Sequence, residues 1–232
     1  MFGYYYGFDY YYLILVIPAV LISLIAQIKV KSAFSKYSKV SSRLTGAEAA
    51  ERLLNSKGVT GVKIERVSGN LTDHFDPRTN VIRLSDSVYS ANTVAAVGVA
   101  CHEAGHAVQY AENYLPIKIR NKIVPLTQFG SYLSWPLLLF GLIFNYSLLI
   151  DIGILLFGLV VLFQLITLPV EFNASHRAIS ALEDTGAFYG EEEHKGVKKV
   201  LSAAAMTYVA ALIVSLAQML RLILLTQGRR RR

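Results

Sequence analysis

The chain has 232 residues, 53% of them hydrophobic and only 17% charged, with a mean hydropathy of +0.42 and a formal net charge of +7. This excludes a disordered chain, which needs low hydrophobicity and high charge. It also argues against a wholly soluble domain, because the apolar residues fall in runs long enough to cross a bilayer. The single cysteine, Cys101, cannot form an intramolecular disulfide, so the fold does not depend on an oxidising compartment.

The first apolar run covers residues 10–28. The segment before it carries one acid and no base, whereas Lys29, Lys31, Lys36, Lys39 and Arg43 follow it. These flanks are the reverse of a cleavable signal peptide. They place the N-terminus outside and residue 29 onward in the cytoplasm, with Tyr4, Tyr5, Tyr6, Tyr10, Tyr11 and Tyr12 as an interfacial aromatic belt. Residues 29–122 are the one long polar stretch, with 14 Lys or Arg against 8 Asp or Glu. Within it, Thr45 and Glu48 have capping-box spacing and predict a helix over 45–55. Residues 62–67 and 81–84 predict strands, with turns at Gly69-Asn70 and Asp76-Pro77 between them. The Ala- and Val-rich stretch 90–109 predicts a buried helix.

Apolar character resumes at Ile123. Residues 123–146 and 148–170 predict a second and a third span, with Pro125 and Pro136 tolerated in the second. Their link has no Lys or Arg, so it belongs outside, and the hairpin returns the chain to the cytoplasm near Glu171. Residues 171–199 are polar, and residues 200–225 form a fourth run containing Arg221. The chain ends in Arg229, Arg230, Arg231 and Arg232, which attract anionic headgroups and favour the cytoplasm. That conflicts with four spans from an outside N-terminus. Four spans remain the reading, since the first helix usually sets the orientation. The division is therefore an N-terminal anchor (1–28), a cytoplasmic part (29–122), a transmembrane hairpin (123–170), a cytoplasmic segment (171–199) and a C-terminal membrane helix with its basic tail (200–232).

Residues 99–108 read VACHEAGHAV. His102, Glu103 and His106 make an HExxH motif, with about 0.005 chance occurrences expected at this composition. On a helix, positions i and i+4 share a face, so two imidazoles can hold one Zn²⁺ while Glu103, beside them, acts as general base toward a water at the metal. A catalytic zinc needs a third protein ligand. Glu171, at the cytoplasmic end of the third span, is the favoured one, because the hairpin can bring it to the HExxH helix. His176 is its rival. His176 or Arg177 is also a candidate donor to the oxyanion of the tetrahedral intermediate. Cys101 must point off the ligand face, as a small buried filler. Gly105 permits a close backbone approach. The strand Val81, Ile82, Arg83, Leu84 is the candidate edge on which an extended substrate adds by main-chain hydrogen bonds. His74 reads as a surface histidine and Glu191, Glu192 and Glu193 as a helix start.

Six segments carry a resemblance: GNLTDHFDPR (69–78), RLSDSVY (83–89), VAAVGVACHEAGHAVQ (94–109), LSWPLLL (133–139), TLPVEF (167–172) and AAAMTYVAAL (203–212). Through them nearly the whole chain resembles the YugP-type neutral zinc metallopeptidases of bacterial membranes. More distantly it is similar to the HtpX and CAAX-prenyl-protease group. The resemblance implies His102 and His106 as zinc ligands, Glu103 as base and Glu171 as third ligand. In the distant group an Asp four residues after the Glu supports a ligand; this chain has Ser175 there, and Asn173 or Ser175 can substitute by hydrogen bonding to a ligand histidine.

The expectation is a mainly α membrane protein with about four transmembrane helices and a small α+β, zincin-like cytoplasmic domain carrying HExxH on a helix. Its activity is zinc metalloendopeptidase, with one Zn²⁺ as cofactor. It sits as a multi-pass protein of the bacterial inner (plasma) membrane, its active site facing the cytoplasm. Its partners are the lipid bilayer and a protein or peptide substrate. Nucleic acid is not expected, since no aromatic-interleaved basic face accompanies the tail. The alternative is a catalytically inactive membrane scaffold, kept open by the departure at Ser175. A channel or transporter is disfavoured by spans almost free of ionisable residues.

Overall fold

The computed structural model describes residues 4–5, 8–186 and 190–230. Tyr4, Tyr5 and Tyr6 of the expected aromatic belt, and the basic tail, lie outside the described side chains. In chain order the elements are β1 (Tyr4–Tyr5), β2 (Phe8–Asp9), α1 (Ile17–Tyr37, entered by a π-helical turn over Tyr12–Val16), α2 (Gly46–Ser56), β3 (Lys63–Val67), β4 (His74–Asp76), β5 (Val81–Ser85), α3 (Val94–Ala111), α4 (Leu115–Ile143), α5 (Ser147–Asp184) and α6 (Glu191–Arg230). Four stretches, Tyr12–Tyr37, α4, α5 and residues 191–227, are long and apolar enough to cross a membrane. The protein is thus a mainly α membrane protein with a small α+β part.

Its helices outrun the apolar segments that reveal them. α4 starts ahead of Ile123, α5 continues through Pro169 to Asp184, and α6 begins at Glu191 rather than near 200. Hydropathy reports where lipid begins and ends, whereas a backbone helix continues wherever its polar turns find water or a packing partner.

The chain divides into two compact units. One comprises Met1–Ala26, Ile119–Leu168 and Thr207–Arg232; the other comprises Gln27–Lys118 and Pro169–Met206. The first is a bundle of apolar helices. Its core gathers Leu138, Ile150, Phe157, Val161, Leu212 and Leu222. Small residues let the helices meet closely: a Cβ on Gly153 would lie 2.7 Å from Leu138 Cγ. Large side chains such as Phe129, Tyr132 and Leu155 point outward, as expected where the solvent is lipid. Between α4 and α5, Asn145 takes a left-handed conformation (φ 56°) and Tyr146 N–H caps the Gly141 carbonyl at 2.9 Å, which closes a short turn.

Arg221, the charge inside the fourth apolar run, has a partner in this unit. Its Nε donates to Asp9 Oδ2 at 2.6 Å, and its guanidinium lies over the Tyr12 ring, 5.2 Å from the centroid. An ionisable group among apolar helices is costly unless paired. The pair also brings the far end of α6 beside the start of α1.

The second unit has a core of Leu53, Leu54, Ile82, Leu84, Val88, Val97, Val108, Leu182 and Val200. Thr45 and Glu48 form the expected reciprocal capping box of α2, and the Glu48 carboxyl, which accepts from both the N–H and the hydroxyl of Thr45, is held below its usual range. The three-stranded sheet has the order β3-β5-β4, with β3 parallel and β4 antiparallel to β5. This corrects one expectation. Val81–Leu84 belongs to the central strand, flanked on both sides, so its backbone cannot accept an added peptide. The exposed edges belong to β3 and β4. The inner position of β5 agrees with its burial: Val81, Ile82, Leu84 and Ser85 are buried while only Arg83 reaches the surface, the pattern of a strand covered on both faces.

Removing one member of the Asp9–Arg221 pair should be worse than removing both. Arg221→Leu and Asp9→Asn are each expected to destabilise the detergent-solubilised protein by about 3 kcal/mol, and the double substitution by less than either, as read by thermal denaturation.

Candidate metal centre

α3 positions the two histidines. Thr93 caps its first turn by accepting from Ala96 N–H at 3.3 Å, and the Ala- and Val-rich sequence lets the helix be buried nearly all round. His102 and His106, one turn apart, project from one face with ring centroids 4.7 Å apart and planes at 81°. Glu171 arrives from α5 and is 2% exposed. Its Oε2 lies 3.1 Å from His102 Nε2 and 3.6 Å from His106 Nε2. Ligand atoms of these three residues all lie within 4.8 Å of one another. Three ligands at zinc's bond length of about 2.0–2.1 Å on a tetrahedron stand about 3.3 Å apart. The observed spacings bracket that value, and two imidazoles with one carboxylate are a zinc donor set, so the residues fit the ion.

Gly105 sets how closely the helices approach. A Cβ there would fall 2.6 Å from the Ala174 carbonyl oxygen on α5, well inside van der Waals contact. The expected close approach is thus found, and its partner is the helix that carries Glu171.

Each imidazole is gripped from behind. His102 Nδ1 meets Ser175 Oγ at 3.1 Å. His106 Nδ1 meets Gln109 Oε1 at 3.0 Å. Gln109, fully buried, donates from Nε2 to the Val170 carbonyl at 2.8 Å and to Asn173 Oδ1 at 2.9 Å. Asn173 Oδ1 also accepts from Arg177 Nε at 2.7 Å, and Arg177 Nη1 donates to Glu112 at 2.6 Å. Of the two residues the sequence offered as partners of a ligand histidine, Ser175 meets His102 directly, whereas Asn173 reaches His106 only through Gln109. Arg177 is held against Asn173 and Glu112. His176 is exposed and stands outside the triangle formed by His102, His106 and Glu171. The sequence reading missed Gln109. Its signal was available: a lone amide three residues after His106, on the same face of an otherwise apolar helix.

Glu103 is half-buried beside His102, and its Oε2 accepts from the Phe75 N–H at 3.0 Å. β4, the edge strand, thus runs against the motif helix. Phe75 also packs edge-on against Tyr110 of α3, with centroids 6.1 Å apart. The turn after β4 is fixed by Asp76, whose carboxyl is lowered to about 2 by hydrogen bonds from Arg78 N–H, Thr79 and Arg83. His74 is exposed and bonds only locally, to the Thr72 carbonyl among the contacts described. Cys101 is fully buried and its thiol is pushed up by burial, which makes it inert filling.

Burial works against charge on His106. The carboxylates of Glu171 and Glu103, with Gln109, outweigh it and hold its pKa above the ordinary imidazole value.

Residues 12–227 match the protein family described as "Putative neutral zinc metallopeptidase". The chain belongs to this family. It is also 49% identical over 216 residues to the "Putative membrane protease YugP" of Bacillus subtilis (strain 168), covering 92% of this chain and 96% of that protein. No solved structure matches it. Family membership and the relative support a membrane protease that uses zinc, and the His102–His106–Glu171 cluster can hold a metal ion.

Gly105→Ala should force α3 and α5 apart. It is expected to cost about 1–3 kcal/mol, read as a lower melting temperature in detergent, together with weaker metal retention. A proton and a metal compete for His106. Because its pKa is raised, that competition sets in at a higher pH than at an ordinary imidazole. The apparent zinc affinity, measured by competition with a chelator across a pH series, should therefore start to fall at a higher pH than at a site built on an ordinary imidazole.

Proposed function

We propose that the protein is a membrane-bound zinc endopeptidase in which His102, His106 and Glu171 hold one zinc ion and Glu103 is the general base. The observation that carries this reading is the cluster of His102, His106 and Glu171, with Glu171 Oε2 3.1 Å from His102 Nε2 and 3.6 Å from His106 Nε2 and all ligand atoms within 4.8 Å of one another, and a second carboxylate beside it. A bound zinc supplies the Lewis acidity that polarises a peptide carbonyl and acidifies water. Glu103 takes the proton of the attacking water and passes it to the leaving amine. His102 and Glu103 are half-buried while His106 and Glu171 are buried, so the cluster is reached from the Glu103 side.

On that side lies the free edge of β4. An extended peptide pairing with β4 would take the Phe75 N–H for its own carbonyl and release Glu103 to act on water. β4 thereby takes the role that the sequence reading gave to Val81–Leu84, with affinity from main-chain hydrogen bonds. No donor to the oxyanion is assigned: His176 stands outside the triangle and Arg177 is engaged elsewhere.

The unit containing the site carries Lys29, Lys31 and Lys36 on the second half of α1, and Lys39 and Arg43 after it, which supports a cytoplasmic site in a bacterial plasma-membrane protein by the positive-inside rule. Its substrates are proteins or peptides near the bilayer. The scaffold reading rested on the departure at Ser175; the contact between Ser175 and His102 supports the enzyme reading instead.

Glu103→Gln should keep about one zinc per chain and lose at least about 100-fold in peptide hydrolysis. Glu171→Ala should lose the zinc itself. Elemental analysis of both variants beside a casein or membrane-protein degradation assay checks the assignment. Full activity in Glu103→Gln would exclude the base, and equal zinc in Glu171→Ala would exclude the third ligand.

A further inference from the structure

Metal-ligating imidazoles must present one bare nitrogen, and a neutral imidazole has two tautomers. Behind His106 the chain of contacts has a direction that no exchange of amide atoms can reverse. The Val170 carbonyl can only accept a hydrogen bond, so the Gln109 amide atom 2.8 Å from it must be the nitrogen. The atom that Gln109 turns to His106 is then the oxygen, which cannot donate. His106 must therefore carry its proton on Nδ1, facing Gln109 at 3.0 Å. A second, independent lock agrees. Arg177 is always a donor, so the Asn173 atom 2.7 Å from it must be Oδ1. That same oxygen receives Gln109 Nε2 at 2.9 Å. Arg177 is itself held by Glu112 at 2.6 Å and lies 5.9 Å from the Tyr114 ring centroid.

We propose that Gln109, held by Val170, Asn173 and Arg177, is the positioning residue that fixes His106 as the Nδ1-protonated tautomer and so aims a bare Nε2 at the metal. This rests on His106 being a metal ligand. His102 has a weaker device: Ser175 is a hydroxyl that can donate or accept, so it holds the ring without dictating the tautomer. Of the two histidines, only His106 has its proton position imposed by groups whose roles are fixed. The Arg177–Glu112 pair, partly exposed at the surface, thereby reaches His106 through three hydrogen bonds.

The test is zinc affinity of the full chain in detergent, by competition with a chromogenic chelator. Wild type, His106→Ala, Gln109→Leu, Asn173→Leu and Asn173→Asp are compared. Gln109→Leu should bind zinc about 10- to 100-fold more weakly than wild type. Asn173→Leu, which leaves Val170 to hold Gln109, should weaken it less than Gln109→Leu does, while Asn173→Asp, which keeps an acceptor for both Gln109 and Arg177, should stay within a few-fold of wild type. In ¹⁵N-histidine-labelled, zinc-loaded protein, the His106 Nδ1 proton should be protected from solvent exchange in wild type and Asn173→Asp, and exchange rapidly in Gln109→Leu. A role limited to packing would leave that signal unmoved.

Wild-type affinity in Gln109→Leu would overturn the proposal while leaving His106 as a ligand. If Gln109→Leu does not fold, Gln109→Met is measured in its place, and wild-type affinity in it overturns the proposal. Wild type without zinc, or His106→Ala binding as tightly as wild type, would overturn the ligand assignment, and the proposal with it.

Discussion

The buried carboxylate of Glu171 between two imidazoles is the contact on which the rest of the arrangement depends. A carboxylate removed from water needs partners of opposite charge or hydrogen-bond donors close by. Glu171 finds His102 and His106 within 3.1 and 3.6 Å. That contact requires α3 and α5 to touch backbone to backbone, and Gly105 against Ala174 is where they do. Packing elsewhere in this unit follows the same economy of size. Gly98 meets Val197 of α6, and Gly196 of α6 admits Val94 and Tyr37. The alanine-rich surface of α3 lets neighbours close in on every side except the one where His102 and Glu103 emerge.

Behind the cluster the polar groups are organised as two separate supports of different character. Ser175 serves His102 with an adaptable hydroxyl, and the amide–guanidinium series serves His106 with fixed polarity. A buried polar network is favourable only when every member is satisfied, and Gln109 meets this with three contacts at full burial. In front of the cluster, Glu103 is tied to the edge strand through Phe75 N–H. The residue proposed as base and the strand proposed to bind substrate are thus joined by one hydrogen bond, which a peptide entering as an added strand would exchange for its own.

Much of this was legible in the sequence because it is local or compositional. HExxH puts two imidazoles and a carboxylate on adjoining faces of one helix by the period of the helix alone. Thr45 and Glu48 declare the start of α2 through a contact three residues long. Four apolar runs declare four helices, since length and hydropathy suffice for crossing a bilayer. Glu171 stood out as an acid at the end of an apolar run, and the family resemblance singled it out from His176. Helix ends were less legible: Pro169 falls inside α5 without ending it, as proline is tolerated where neighbours can satisfy the freed carbonyl.

What the sequence by itself determined is therefore the family, the apolar spans and the candidate chemistry: two imidazoles and a carboxylate that can hold a metal, with a second carboxylate beside them. Tertiary structure decided adjacency. Strand order cannot be read from two or three short strands, because each records only its own burial and not its neighbours, and β5 proved central where an edge was expected. Gln109, Asn173 and Arg177 are unremarkable polar residues in sequence. They acquire roles only when α3 and α5 lie side by side and a carbonyl and a guanidinium, neither able to reverse its hydrogen-bonding sense, impose direction on the amides between them. Local spacing fixes what a side chain can do; only the crossing of two helices fixes what it faces.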